Sequence, residues 1–459
     1  MSEGETPAVP GPFAAVILAA GKGTRMKSDL HKVVHPIAGR PMLGHVMAEL
    51  ARLSPARMVV VLGQGRDQVA PLVEAMGGEV VEQAEQLGTG HAVLQASEAL
   101  RGFEGDVLAT YGDVPMVRAE TVAAMLSRLH AEDAPASVVL GFRPADAAAY
   151  GRIAAEGDGR IAKMVEFKDA TAEERAIKLC NSGLIVARAT DMFALLARVG
   201  NANAQGEYYL PDLVMVAQAE DRHSAVIEAE AWEVAGINSR AELAAVERDW
   251  QARRRACAMA EGATLVDPDT VWFSHDTVVG RDVVIEPNVR FGPGVAIGDR
   301  VTIHAFSDIE GAIVKAGAAI GPYARLRPGA EIGEGAKVGN FVEIKKAVLG
   351  PGAKVNHLSY IGDASVGPGA NIGAGTITCN YDGFFKYRTE IGAGAFIGSN
   401  SALVAPVTIG EGSIVGAGSV VTADVEAGAL ALARGKQQAK PGWARRFREM
   451  MGARKAKSG

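Results

Sequence analysis

The stretch AIGPYARLRPGAEIGEGAKVGNF, residues 319–341, places one apolar residue at every sixth position: Ile320, Leu326, Ile332 and Val338. The same beat runs upstream through Val279, Ile285, Phe291, Ile297, Ile303 and Ile309, slips by one residue, and resumes at Val314. Downstream it passes Ile344, Leu349, Val355, Ile361, Val366, Ile372 and Thr378, and then Ile391, Ile397, Leu403, Ile409, Val415 and Val421. A period of six excludes a coiled coil, whose seam repeats every seven, and the length of the run excludes an ordinary alternating strand. What remains is a parallel β-helix in which each hexad forms one flat side and its apolar residue stacks inward on copies in neighbouring coils, about eight in all. Glycine supports this, since 27 of the 55 glycines fall between residues 263 and 433, and tight or left-handed corners favour it. Between Thr378 and Ile391 the register gains seven residues, so a loop must leave the prism there, and loops on rigid scaffolds commonly carry function.

The hexads resemble the hexapeptide-repeat family. That resemblance implies a left-handed β-helix and assembly as a trimer, neither of which periodicity alone provides.

Before the repeats the chain reads differently. Apolar runs such as AAVILAA, MVVVLG, DVLATYGD and ASVVLGF alternate with helical patterns such as MLGHVMAELARL. This alternation predicts an α/β domain with a mainly parallel, Rossmann-like sheet. The expected organisation is a disordered tail over 1–12, an α/β domain over 13–238, a helical linker over 239–262, the β-helix over 263–433, and a basic tail over 434–459. Within the linker, the run Arg253–Arg255 is expected to be a solvated helix face. The tail from Trp443 holds six cations and one acid. It is open to two readings: a solvated terminus, or cations and Trp443 that meet a coenzyme.

Bulk composition narrows the class. The 459 residues are 48% hydrophobic and 22% charged, with a formal charge of -6, which argues against binding nucleic acid through bulk electrostatics. Cys180, Cys257 and Cys379 are widely spaced, fitting reduced thiols in a cytoplasmic protein rather than a disulfide frame or a zinc site. No apolar run reaches the length of a membrane span, so no membrane partner is expected.

The chemistry of the first domain starts at ILAAGKGTRMKSDLHK, residues 17–32. A dinucleotide fingerprint would need a third glycine where Met26 stands, and the P-loop pattern is absent. A strand ending in a glycine turn with Arg25 and Lys32 close behind is suited to a polyphosphate, because exposed backbone amides and cations both attract it. TYGDVP places Asp113 just after an apolar strand, at the carboxyl edge where open α/β sheets bind ligands.

The pattern L-x-x-G-x-G-T-R-M with Lys32 resembles the sugar-1-phosphate nucleotidyltransferases. That resemblance continues through QAEQLGTGHA, TYGDVP, YGRI, VEFKDA, CNSG and GINS. It implies that Arg25 and Lys32 are catalytic, and that Leu18, Ala19, Ala20, Gly21, Lys32, Gln83, Gly88, Thr89, Tyr111, Gly112, Asp113, Gly151, Glu166, Asn181 and Asn238 bind UTP and the nucleotide sugar. It further implies Mg2+ held by Asp113 and Asn238. Two polyanions must meet in such a reaction, so charge neutralisation and in-line positioning dominate.

In the repeat region, ARLRPGA, GNFVE-x-KK, VNHLSYIG, NIGAGTITCNYDG and LVAPVT carry polar groups that packing does not require. His357 follows Glu343 by 14 residues, within about one coil, and a carboxylate there is expected to orient the imidazole as a general base. Across nearly the whole chain, these motifs resemble the bifunctional N-acetylglucosamine-1-phosphate uridyltransferase and glucosamine-1-phosphate N-acetyltransferase family. The resemblance implies that His357 is the base, that Arg327, Lys345, Tyr360 and Asn371 bind the sugar phosphate, and that Ala374, Asn380, Tyr381, Ser399, Ala417 and Arg434 line the path of acetyl-CoA. A nucleotidyltransferase with a merely structural β-helix is the competing reading, and the intact His357 and Asn380–Tyr381 loop count against it.

Overall fold

A computed structural model describes residues 7–21, 23–147 and 149–457. The chain divides into two compact units: one runs to Ala260 and takes in Phe273–His275, and the other comprises Glu261–Trp272 and the chain from Asp276 onward. Of the tail expected over 1–12, residues 1–6 lie outside the described residues. The rest is tied to the domain: Val9 packs against the core, and the Pro12 carbonyl accepts from Asp106 N at 3.0 Å.

The first unit is built on a nine-stranded sheet. Its strands are β1 (Phe13–Ala19), β2 (Arg57–Leu62), β3 (Glu79–Glu82), β4 (Asp106–Tyr111), β5 (Ser137–Phe142), β6 (Arg152–Ala155), β7 (Ile161–Val165), β8 (Cys180–Arg188) and β9 (Ala225–Ala229). Their order is β9-β5-β8-β4-β1-β2-β3, with β6 added to β8 and β7 to β6. Strand β1 is parallel to both β2 and β4, whereas β8 runs antiparallel between β4 and β5. Both faces are covered: Ala15, Ile17 and Ala19 enter one core, and Ala14, Val16 and Leu18 the other. Burial on two sides explains why β1 reads as an unbroken apolar run. From β1 the chain builds outward to β2 and β3 and then returns to β4 on the opposite side. The carboxyl ends of β1 and β4 therefore form a switch point, the place where such sheets bind ligands.

The helix Arg240–Ala260 belongs to this unit, where Val246 packs with Ile37, Met42, Met116 and Ile237. Its arginine run is not the solvated face expected from charge alone. Arg254 and Arg255 are buried, Arg253 lies 3.3 Å from the Trp232 ring centroid, and Arg254 lies 5.1 Å from that of Phe273. Guanidinium planes stack on aromatic faces, so a triple-arginine run can be packed inward.

The second unit is a left-handed parallel β-helix. Every hexad residue from Ile285 to Val421 named above is buried, including Thr378, while Val279 is half-buried. One column runs Ile285, Ile303, Ile320, Val338, Val355, Ile372, Ile397 and Val415 in continuous parallel register. Successive members are 17 or 18 residues apart except between Ile372 and Ile397, where the extra residues leave as a loop. Asp382 Oδ1 caps that loop, accepting from Phe384 N at 2.8 Å and Phe385 N at 2.7 Å. The corners are less glycine-bound than expected: Phe306, Tyr323 and Phe341 take left-handed φ values of 61, 55 and 55°. Their rings stack at 4.9 and 5.1 Å, offsetting part of the cost of a left-handed bulky residue. The tail is also more ordered than a plain basic segment, since Trp443–Lys457 forms a helix.

Candidate active sites

A cavity of 340 Å³ opens at the carboxyl ends of β1 and β4. Leu18, Ala19, Ala20, Gly21, Lys32, Gln83, Gly88, Thr89, Tyr111 and Asp113 line it, together with Val33, Gln86, Ala92 and Glu207, which the motifs did not single out. Gly23 adopts φ 60°, and a Cβ there would lie 2.6 Å from Lys32 Cβ, so only glycine lets Lys32 approach the turn. Lys32 Nζ then donates to Asp113 Oδ2 and, at 3.1 Å, to Asn238 Oδ1. Residues far apart in the chain meet here because Ile237 N donates to the Asp113 carbonyl at 3.0 Å. Two oxygen donors thus converge on one point of positive charge, the donor chemistry a hard cation such as magnesium takes.

The loop that carries Gln83, Gly88 and Thr89 is held from both sides. Gln83 is buried, and its Nε2 donates to the Gly88 carbonyl at 3.1 Å. Gly88 has φ 110° and lies so close to the Tyr208 backbone that a Cβ would come within 2.6 Å of the Tyr208 carbonyl oxygen. Leu210 N donates to Thr89 Oγ1 at 2.9 Å. Glu207, on the same segment as Tyr208, reaches the cavity wall without belonging to any strand or motif.

Gly151, Glu166 and Asn181 form a second group. Asn181 N donates to the Gly151 carbonyl at 2.9 Å, and a Cβ on Gly151 would meet Glu166 Oε1 at 3.1 Å. Tyr111 links this group to the cavity, because its ring packs against Gly183, whose N donates to Asn181 Oδ1 at 2.8 Å. Burial, then the charges of Glu166 and Asp113, hold the Tyr111 hydroxyl far above its usual range, so it stays protonated. Burial also raises Glu166, with Asp212 and Asp169 adding to it. Gly112 lies just behind the cavity, its N bonded to the Leu18 carbonyl at 2.9 Å. Arg25 is exposed on the 3₁₀ turn Thr24–Met26, whose Met26 is buried, and does not line the cavity.

On the β-helix the polar groups expected from sequence come together by coil register. Glu343 does not orient His357. Its Oε1 accepts from Arg327 Nη1 at 2.7 Å, while His357 Nδ1 bonds to Asn340 Oδ1 at 2.6 Å. The reason is geometric: Asn340 pairs with His357 across adjacent coils and Glu343 pairs with Tyr360, so a spacing of 14 falls on a different part of the prism. Lys345 meets Lys386 of the extruded loop, and that neighbouring cation is the main reason the Lys345 ammonium is held below its usual range. The Asp363 carboxylate opposes this, Arg327 adds to it, and Arg327 itself is paired with Glu343, so Lys345 and Lys386 are two like charges brought side by side. Lys386 was not singled out in the sequence because it lies in an irregular loop. Tyr360 folds its ring over Gly362, where a Cβ would be 2.3 Å from the hydroxyl.

Asn371 stands in register between Lys354 and Phe396. Below His357 the backbone forms a column: Gly375 N donates to the His357 carbonyl at 3.3 Å, Asn400 N to Ala374 O at 2.7 Å and Gly418 N to Ser399 O at 2.8 Å. Arg434 Nη1 ends the column, donating to Ala417 O at 2.6 Å. Asn380 Nδ2 donates to Asp363 Oδ2, and Tyr381 is exposed and bridged to Lys386.

Comparison with known proteins follows the same division. Residues 15–156 match the MobA-like NTP transferase domain. Residues 276–309, 311–346 and 388–423 match the bacterial transferase hexapeptide (six repeats). Over 445 residues the chain is 71% identical to the bifunctional protein GlmU of Rhizorhabdus wittichii, covering 97% of this chain and 98% of that one. The bifunctional protein GlmU of Sphingopyxis alaskensis is 64% identical over the same shares. That of Zymomonas mobilis subsp. mobilis is 60% identical over 95% of this chain and 98% of its own.

Proposed function

The chain belongs to the GlmU family of bifunctional proteins, and from that premise we propose how its two sites divide the work. The β-helix acetylates glucosamine-1-phosphate with acetyl-CoA, and the α/β unit transfers UMP from UTP to N-acetylglucosamine-1-phosphate, giving UDP-N-acetylglucosamine and pyrophosphate. The observation that carries the division is the separation of two constellations: Lys32, Asp113 and Asn238 in one compact unit, and His357, Arg327 and Lys345 in the other.

In acetyl transfer the sugar phosphate is held by Arg327, Lys345 and Lys386. With Nδ1–H donated to Asn340, the second ring nitrogen of His357 keeps its lone pair and takes a proton from the attacking amine. The C–N bond forms as the C–S bond of the thioester breaks, and coenzyme A leaves. Tyr360 and Asn371 contact the sugar, and Ala374, Asn380, Tyr381, Ser399, Ala417 and Arg434 line the path of the acetyl donor.

In uridylyl transfer the sugar-phosphate oxygen attacks the α-phosphorus of UTP and pyrophosphate departs. Lys32 and Arg25 stabilise the departing charge. Gln83, Gly88 and Thr89 read the base, and Gly151, Glu166 and Asn181 receive the sugar. Asp113 and Asn238 would hold a magnesium ion, which supplies positive charge against that of the triphosphate. The protein works as a homotrimer in the cytoplasm. The hexapeptide repeat supports the trimer, and among the described residues no helix is long and apolar enough to cross a membrane.

The test is an assay of both half-reactions on wild type, His357→Ala and Asp113→Ala. The first variant is expected to lose acetyl transfer alone and the second uridylyl transfer alone. Normal acetylation by His357→Ala would remove the base assignment.

A further inference from the structure

We propose that Gln68 is a positioning residue for uridylyl transfer, which sets Lys32 by holding the chain just before it; this rests on the role given to Lys32 above. Between the turns Thr24–Met26 and Lys32–Val34, residues Lys27–Leu30 are exposed and belong to no helix or strand. A segment of that kind samples many conformations unless a group outside it fixes the backbone. Gln68, in the first turn of the helix Arg66–Ala75, does so with both halves of its amide. Its Oε1 accepts from His31 N at 2.6 Å, and its Nε2 donates to the Asp29 carbonyl at 2.9 Å. The carbonyl of residue 29 and the amide of residue 31 are thus matched as a neighbouring parallel strand would match them, one residue short of Lys32.

Other groups hold the two ends of the segment, which leaves its middle to Gln68. Arg240 Nε donates to the Met26 carbonyl at 3.2 Å, and its Nη1 donates to His35 Nδ1 at 3.4 Å. Burial, with the charge of Lys32 beside it, holds the His31 imidazole below its usual range, so the ring stays neutral and its Nδ1 accepts from Val33 N at 3.4 Å. Gln68 itself is exposed and does not line the cavity, so its action on the site passes through the backbone it grips. The demand on that backbone is high. Lys32 Nζ must end beside both Asp113 Oδ2 and Asn238 Oδ1, at the tip of a long side chain that magnifies any shift at its base. A misplacement of about 1 Å at a reacting charge can cost up to about a hundredfold in rate.

The test measures both half-reactions of the full-length protein in Gln68→Ala, Gln68→Met, Lys32→Ala and the double variant Gln68→Ala/Lys32→Ala. Gln68→Met keeps the length of the side chain and removes both hydrogen bonds, so it should behave as Gln68→Ala does. Each is expected to lower kcat for uridylyl transfer by about tenfold, through misplacement of Lys32. KM for UTP should stay within about twofold of wild type, since Lys32 acts on charge that develops as pyrophosphate departs. Acetyl transfer in the same samples should be unchanged. On the Lys32→Ala background, Gln68→Ala should cost nothing more, because the two act through one ammonium. Wild-type kcat in both single variants at Gln68 overturns the proposal, and so does a full tenfold loss that persists on the Lys32→Ala background. Parallel loss of both half-reactions would mark a role in the fold alone and overturn it as well. Lys32→Ala transferring at the wild-type rate would remove the reading of Lys32 itself, and the proposal with it, whatever Gln68→Ala does.

Discussion

Replacing Asn340 with alanine isolates what the coil register does for catalysis. The side-chain oxygen of Asn340 lies 2.6 Å from His357 Nδ1, on an imidazole that is otherwise exposed. That bond fixes the ring's orientation and leaves the opposite nitrogen as the acceptor. A hydrogen bond between neutral groups is worth about 0.5–1.5 kcal/mol, so Asn340→Ala should lower kcat for acetyl transfer by about 2- to 13-fold. Losing the proposed base, in His357→Ala, should cost about 10² to 10⁴. Because both act through one ring, the double variant should be no slower than His357→Ala alone. Asn340→Asp supplies a charge: a carboxylate there holds the imidazole proton more firmly, so the acidic limb of the acetyl-transfer pH profile should move to higher pH. A thiol-reactive dye that follows coenzyme A release gives kcat and KM directly, and uridylyl transfer in the same samples serves as the internal control. The reasoning fails if Asn340→Ala acetylates at the wild-type rate while Glu343→Gln slows kcat. The expected effect of Glu343→Gln is a changed KM for the sugar phosphate through Arg327.

Three further outcomes are expected. Gly23→Ala must place an L-residue at φ 60°, costing roughly 1 kcal/mol, and must also push Lys32 away, so uridylyl transfer should fall by about tenfold or more with acetyl transfer untouched. In the prism, Thr378 Oγ1 accepts from Gly362 N at 2.8 Å, so Thr378→Val strands a buried donor and should destabilise the β-helix by about 1–3 kcal/mol, read as faster heat loss of acetyl transfer. Burial, then Asp169, raises the Asp212 carboxyl to about 6. The folded state therefore holds that proton more tightly than the unfolded chain, and the stability this gives is full below about pH 4 and lost as pH rises through 6. Asp212→Asn should melt higher than wild type at pH 8, with the gap closing toward pH 4; a gap that widens on acidification would contradict this sign.

The β-helix was legible because the cause of its order is local and repeated. One inward side chain in six suffices to place Ile285 through Val421, and even Thr378 was read as inward from its position in the count. The switch-point cavity was legible for a related reason: its lining comes mostly from motifs that end strands or open turns. Glu207 escaped because nothing in GEYYLPD announces that the segment folds back on Gly88, and Gln86, although inside QAEQLGTGHA, escaped because its Nε2 reaches the Ala20 carbonyl only through tertiary packing. Asn340 escaped through arithmetic on the wrong unit, since contacts between coils join residues 17 or 18 apart rather than 14. The slip before Leu349 lies between Asn340 and His357 and shortens that step to 17, so the correct pair was within reach of the register itself. The packing of Arg253 and Arg254 could not be read this way, because Trp232 and Phe273 reach them only through tertiary packing.

The two sites solve the same positional problem by different means, and the difference bears on the ligands they suit. At the switch point, Lys32, Asp113 and Asn238 come from separate segments and meet at one point, with Lys32 and Asp113 lining a compact cavity, which suits the proposed triphosphate because it must be surrounded by charge. On the prism, each functional residue is set by the coil above it, so the groups fall in a line: Asn340, His357, Ala374, Ser399, Ala417 and Arg434. Parallel strands are about 4.8 Å apart, so the four coil steps from His357 to Arg434 span about 19 Å. A line with an imidazole at one end and a guanidinium at the other suits a long, extended donor whose reactive thioester lies far from its phosphates. A compact acyl donor such as acetyl phosphate would meet His357 without reaching Arg434. On the proposed path of acetyl-CoA, Arg434→Ala should therefore raise KM for acetyl-CoA while leaving kcat for a truncated thioester unchanged, because the cation would hold the far end of the donor and take no part in the proton transfer at the near end.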